Sequence, residues 1–183
     1  SSKKPLLETK TRPYVFAHVV PDQFASATAI FSAGSSFNWV QKQICQDIIL
    51  SAEKNGKDPF ELMIATAMES PVGANQLIFN PSLGGGSSLD KRANQRGTFM
   101  GLDLGHTRSD LIRATMEGIA MGQRVALDEL RKLADVSNKM VIVGGGSQSK
   151  DWWQIYADMY DMHIIKTNID QQAATLGAAA VAA

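Results

Sequence analysis

Apolar positions along the chain change their spacing several times, and each change marks an element. Met140-Val141-Ile142-Val143 is a short β-branched run bounded by glycine, which predicts a buried strand. Gly144-Gly145-Gly146-Ser147 follows at once. Asp151 then opens a helix in which Trp152, Ile155, Tyr156 and Met159 share one face. Upstream, Tyr14 to Val20 and Ser26 to Ser32 read as strands on either side of the turn Pro21-Asp22-Gln23. A helix from Phe37 to about Lys54 carries the stripe Phe37, Val40, Ile44, Ile48 and Ala52, with Ser35 or Ser36 as its N-cap. Asp58 caps a shorter helix, Phe60 to Met68, and Pro59 occupies its first position. Leu77-Ile78-Phe79 predicts another strand, and Leu83 to Ser88 a flexible loop.

The longest helical pattern runs from Ser109 to Leu133. Leu111, Thr115, Gly118, Ile119, Gly122, Val125 and Ala126 fall on one face, and Ala114, Gly118, Gly122 and Ala126 form a strip of small residues. Interior glycines cost a helix about 1 kcal/mol each, so close packing is the expected compensation. Arg113 and Glu117 are spaced to pair. His163 to Lys166 reads as a short strand, and Gln171 to Ala183 as a small-residue helix interrupted at Gly177. Strands and helices alternate from residue 77 onward, the signature of an α/β domain.

Composition narrows the partners. The 183 residues suit one domain able to bury a sizeable core. Eighteen basic residues balance eighteen acidic ones, with no basic patch or charge block, which argues against nucleic acid or a membrane surface. No membrane-length apolar run or signal peptide is present. The single cysteine, Cys45, lies in an apolar run and reads as a buried thiol, in keeping with a reducing compartment such as the cytoplasm. Ser1 to Pro13 is a polar leading arm.

Strand, glycine turn and helix is a layout that lets backbone approach a flat or charged ligand. Two common nucleotide motifs nevertheless fail here. A P-loop needs glycine before its Lys-Ser or Lys-Thr, but Lys150 stands between Ser149 and Asp151. A dinucleotide fingerprint needs a third glycine, where this chain has Ser149. It also needs an acidic residue at the end of a second strand, and the nearest candidate, Asp170, opens a helix. His18 has no ligand partner at metal spacing and reads as a strand histidine. Trp152 and Trp153 read as core residues at helical spacing, ahead of a base-stacking role.

Four blocks appear in one order: SAGSSFNWV (32–40), RGTFMGLDLGHTRSDLIRATMEGIA (96–120), the GGGS turn (144–147) and AATLGAAAVAA (173–183). Together they resemble the C-terminal domain of the FGGY carbohydrate kinases, the xylulokinase-like members above all. The resemblance implies an actin-like ATPase, ribonuclease H-like α/β domain spanning 1–183. It would be one half of a two-domain sugar kinase, with the sugar and the general base held mainly by an N-terminal domain absent from this chain. It implies ATP and Mg²⁺ as cofactors, ATP or ADP and a sugar as partners, and a cytoplasmic setting; a homodimer is compatible with it. Residue by residue it carries ATP binding to Gly34, near the phosphates, to Asn38, and to Gly145, Gly146, Ser147 and Lys150. No catalytic or metal-ligating residue is carried over. In the family a G-E-R-x-P segment stands where this chain has Gly84-Gly85-Gly86-Ser87-Ser88 without arginine.

Asp103-Leu104-Gly105-His106-Thr107 is close to the D-x-G-T phosphate loop of actin-like ATPases. It leads straight into a helix, however, and reads as a strand-to-helix corner braced by His106 and Thr107. The competing classes are another actin-like ATPase, a Rossmann-type dehydrogenase, and a domain that kept the fold without the chemistry. The sugar is open among xylulose, ribulose, gluconate, glycerol and autoinducer sugars.

Overall fold

Residues 1–10, 12–87, 89–90, 92–169 and 172–182 are described by a computed structural model. The chain divides into two compact units. One comprises Ser1–Ile30, Ser87–Lys91 and Gln123–Ala183, and the other Phe31–Gly86 and Arg92–Gly122.

In the first unit, β1 (Tyr14–Ala17) and β2 (Phe24–Ala27) form an antiparallel hairpin with Tyr14 opposite Ala27. Both are shorter than the sequence predicts. The expected second strand, Ser26 to Ser32, stops at Ala27, and Ser32 instead precedes a helix. The leading arm adds an antiparallel bridge, Ser2 N–H to Phe24 O and Phe24 N–H to Ser2 O, at 2.9 and 2.8 Å. His18 is half-buried, and its Nδ1 accepts from Val20 N–H at 3.0 Å, a structural role. Strand β5 (Lys139–Ile142) runs parallel to β6 (His163–Lys166), and helix α5 (Lys150–Tyr160) makes the crossover between them. The expected burial of β5 holds only for Ile142; Val141 and Val143 are more than half exposed. Leu127, Tyr160 and Met162 form the buried centre here, with Met140, Tyr156, Met159 and Ile164 packed around it. The carbonyl end of α5 is clasped by two arginines: Arg124 donates to Met159 O at 2.7 Å and Arg131 to Tyr160 O at 3.0 Å. Asp128 aligns both guanidinium groups. Helix α6 (Ala173–Ala182) runs through Gly177 without interruption and has no buried residue. Of the helix expected over Gln171 to Ala183, the two end residues lie outside the described residues, as does Asp170.

The second unit holds α1 (Ala33–Ile44), α2 (Gln46–Asn55) and α3 (Pro59–Ala67). The single helix expected from Phe37 to Lys54 is thus two, broken at Cys45, whose φ of −118° and ψ of 34° leave the helical region. The break takes the thiol fully out of solvent. The expected serine caps are also corrected. Ser35 and Ser36 lie inside α1, and Ser32 precedes it without a capping side-chain bond. The reason is tertiary: Ser32 Oγ accepts from Gly84 N–H at 2.7 Å, and Ser36 Oγ donates to Pro81 O at 3.0 Å. Those bonds lie beside a 3₁₀ turn, Ser82–Gly84, within the stretch expected to be loop; Ser88 lies outside the described residues. Asp58 caps α3 as expected, its carboxylate accepting from Phe60 N–H at 2.8 Å.

Strands β3 (Ile78–Asn80) and β4 (Thr98–Met100) pair antiparallel, with Phe79 opposite Phe99 and their ring centres 4.6 Å apart. Helix α4 (Arg108–Arg131) gives its residues up to Gly122 to this unit and the remainder to the other. From Asp110 to Ala120 no residue is exposed, so the helix is wrapped on all sides there. That corrects the one-face reading. Ile112, Met116 and Ala120 are buried, whereas Val125 is more than half exposed. The expected pair forms, Arg113 Nε to Glu117 Oε1 at 2.6 Å. The small-residue strip has its expected purpose at Gly118, where a Cβ would stand 2.1 Å from Phe79 O.

Gly118→Ala is therefore expected to lower unfolding free energy by about 1–3 kcal/mol through overpacking against β3. Gly177→Ala, at a helical site where a Cβ meets nothing within 4 Å, should be neutral or stabilising by up to about 1 kcal/mol. Urea titration of both variants against the parent chain measures the contrast.

Candidate functional site

Between β5 and α5 the backbone turns on glycine. Gly144 has φ of +82°, the left-handed region that glycine enters without penalty. Gly145 to Gln148 then close into a 3₁₀ turn. Ser147 is its knot: its N–H and its Oγ both donate to Gly144 O, at 3.0 and 2.7 Å, and the residue is fully buried. Trp153 reaches back from α5 and donates its indole N–H to Ser147 O at 3.0 Å. Ser149 caps α5, its Oγ accepting from Trp152 N–H at 3.4 Å.

The turn presents one open face. A Cβ on Gly145 would meet nothing within 4 Å, whereas one on Gly146 would stand 3.3 Å from Tyr156 Oη. Tyr156 is thus the floor beneath Gly146. Burial pushes its phenol up to about 12 and raises that of Tyr160 further, so both hydroxyls keep their protons at neutral pH. Tyr160 uses its proton on Gln123 Oε1 at 2.7 Å. Trp152 is buried, with its ring 5.2 Å from that of Tyr156. Lys150 is exposed at the first position of α5.

Gly145, Gly146 and Ser147 therefore lie on one turn, with Ser147 directed inward, and Lys150 opens the helix that follows it. Gly34 and Asn38 belong to the other unit. Gly34 lies inside the first turn of α1, exposed, with nothing within 4 Å of a Cβ; Asn38, one helical turn on, is half-buried.

Sequence reasoning missed a second constellation, at the start of α4. Asp110 is buried, and its carboxylate is filled with donors. Ser70 Oγ and Asn75 Nδ2 reach Oδ1 at 2.7 and 2.8 Å, while Thr107 N–H and Oγ1 reach Oδ2 at 2.7 and 2.8 Å. The Thr-x-x-Asp spacing of Thr107 and Asp110 was the available signal. The corner before it is braced as expected. Asp103 Oδ1 accepts from Gly105 N–H at 2.7 Å and lies 2.9 Å from His106 Nδ1, and His106 Nε2 donates to Asn75 O at 3.1 Å. Asp103 Oδ1 is thus engaged at the corner. Asn75 sits in an unusual stretch, since Ala74, Asn75 and Gln76 all have φ near or above +47°. Beside these residues opens a cavity of 610 Å³, lined by Thr66, Glu69, Ser70, Thr107, Arg108 and Asp110 among others. Arg108 is paired with Asp47 of α2.

Over residues 1–183 the chain matches the FGGY family of carbohydrate kinases, C-terminal domain. It is 33% identical over 170 residues to the xylulose kinase of Staphylococcus xylosus, covering 93% of this chain and 33% of that protein. Among solved structures it is similar to xylulose kinase from Lactobacillus acidophilus, with a TM-score of 0.74, 26% identity, and coverage of 93% of this chain and 32% of that one. It is also similar to Plasmodium falciparum glycerol kinase with ADP, with a TM-score of 0.66, 25% identity, and coverage of 86% and 28%. The chain spans about a third of the length of the curated relatives it matches. These neighbours are sugar kinases, and the chain shares their actin-like, ribonuclease H-like fold.

The carboxyl of Asp110 is held down at about 2, first by the Ser70 hydroxyl and then by Thr107 N–H. A depressed folded-state value gives stability that is full above the ordinary value of 3.8 and is lost as pH falls through the folded one. The chain is expected to lose this contribution between about pH 4 and pH 2. Asp110→Asn should be about 1–3 kcal/mol less stable at pH 7, because it turns an amide N–H₂ toward hydroxyl and amide donors. Its stability should also fall less steeply across that acid window. Urea midpoints at pH 7, 4, 3 and 2 for both proteins test this.

Proposed function

The chain belongs to the FGGY family of carbohydrate kinases, and on that premise we propose that it is the nucleotide-holding domain of a cytoplasmic kinase. That kinase transfers the γ-phosphoryl group of ATP to a hydroxyl of a sugar, a pentulose such as xylulose. The sugar and the general base are supplied by a second domain of the longer protein. The observation that carries this reading is the glycine turn: a knotted, backbone-lined corner whose outer face at Gly145 is bare of side chains. Only such a face lets a purine or ribose approach the main chain to van der Waals distance. The similarity to a glycerol kinase structure holding ADP supports adenine nucleotide as the ligand class.

Each residue then has a physical task. Gly145 and Gly146 give the nucleotide a flat wall, and Tyr156 keeps that wall from sinking inward. Ser147 serves the turn from inside. Gly34, equally bare at the amino end of α1, gives the phosphates access to helix N–H groups. Asn38, one turn on, offers an amide that both donates and accepts. Lys150 adds a cation at the edge of the turn.

In phosphoryl transfer most of the work is positioning and charge stabilisation, so a rigid nucleotide wall contributes directly. Among the described residues no three His, Cys, Asp or Glu side chains converge as a metal site. In this reading magnesium arrives on the phosphates. Closure of the second domain would exclude water from the transferring phosphoryl group.

Calorimetric titration with Mg-ATP and Mg-ADP, with NAD as control, is the direct test. The expected result is adenine-nucleotide binding without a response to NAD; NAD binding would replace the kinase reading with a dehydrogenase-like one. Gly146→Asp sets a carboxylate against Tyr156 and the ligand, and should weaken Mg-ADP at least about tenfold, or about 1.4 kcal/mol. An unchanged dissociation constant would move the site away from this turn.

A further inference from the structure

The glycine turn has a weakness that its glycines cannot repair. Gly144 and Gly145 have no side chains to restrain them, and a Cβ on either would touch nothing within 4 Å. Backbone this free would have to be ordered whenever a ligand binds, at a cost in affinity. The restraint comes from Ser147. Its hydroxyl and N–H close on Gly144 O, and its own carbonyl is held by the indole N–H of Trp153 at 3.0 Å. Trp153 is the fourth residue of α5, and side chains there tilt toward the helix start, which is what carries the indole back over the turn. Its neighbour Trp152 is buried beside Tyr156, whereas Trp153 is only half-buried. Trp152 packs against Tyr156, and Trp153 ties the turn.

We propose that Trp153 is a positioning residue for nucleotide binding, acting through the Ser147 carbonyl to hold Gly145 and Gly146 in the shape the ligand meets. This rests on the nucleotide reading of the turn. Indole is a donor only, so Phe at this position keeps the ring and deletes the tie.

The test is titration of Mg-ADP into the 183-residue chain and its W153F variant, with thermal unfolding and amide hydrogen exchange measured in parallel. Loss of one neutral hydrogen bond is worth about 1 kcal/mol, so W153F is expected to bind about fivefold more weakly. Gly145 and Gly146 amides should exchange faster in the variant. S147A removes the opposite tie and should weaken binding in the same sense, with the double variant losing less than the sum of the two. In the parent chain the Trp153 indole N–H should exchange more slowly once Mg-ADP is bound, a readout that needs no variant to fold. The proposal is overturned if the parent binds Mg-ADP while W153F binds it equally, whatever happens to its melting temperature. It is likewise overturned if Mg-ADP leaves the indole exchange rate unchanged. If the parent chain itself does not bind Mg-ADP, the nucleotide reading fails, and this proposal fails with it.

Discussion

The carboxylate of Asp110 holds together three stretches that would otherwise have little reason to meet. It takes a hydroxyl from Ser70 after α3, an amide from Asn75 in the left-handed turn, and the backbone and side chain of Thr107 at the α4 corner. A buried charge is tolerated only when its lone pairs are met, and here they are. The left-handed run Ala74-Asn75-Gln76 costs on the order of 1–2 kcal/mol per residue and persists only where its surroundings over-determine it. Asp110 grips the Asn75 side chain, His106 its carbonyl, and Glu117 the N–H of Gly73 just before it. The start of α4 thus sets the local geometry around it, and the wrapped segment that follows, through Ala120, continues the same unit inward.

Two kinds of glycine serve the chain in opposite ways. Gly118 is glycine because a neighbour is too near, the carbonyl of Phe79. Gly34 and Gly145 stand where an added Cβ would meet nothing within 4 Å. The first kind lets a helix lie against a strand. The second leaves main chain uncovered, which folding alone does not require.

Much of this was legible in the sequence. The strand, glycine turn and helix over 139–160, the long helix (expected over Ser109 to Leu133, found over Arg108–Arg131), the Asp58-Pro59 cap and the Arg113–Glu117 pair all follow from local spacing, and local spacing decided them. What was not legible depended on distant partners. Nothing in the stripe Phe37, Val40, Ile44 and Ile48 announces a break at Cys45, because the stripe continues through it. Ser35 and Ser36 look like helix-start serines and Ser32 like a strand end, yet Pro81 O, far along the chain, accepts from the Ser36 hydroxyl and Gly84 N–H donates to that of Ser32. Val125 has the right phase for a core face that exists only where the helix is wrapped. At the turn, the glycine triplet gave away Gly145 and Gly146. The inward direction of Ser147 was hidden, because its hydroxyl turns back onto Gly144 O, a bond that residue spacing does not announce.

The arginine clasp on α5 has an electrical consequence. An eleven-residue helix is a rod with about half a positive charge at its amino end and half a negative charge at its carboxyl end. Arg124 and Arg131, with the Asp128 carboxylate shared between them, place two guanidinium groups on the carbonyls of Met159 and Tyr160 and offset part of the negative pole where it emerges. The field that remains is lopsided. It issues from the Ser149–Lys150 end, is offset there in part by Asp151, and is less fully cancelled at range by its own tail. Paired guanidinium groups far from the turn therefore shape the potential that an approaching anion encounters at it.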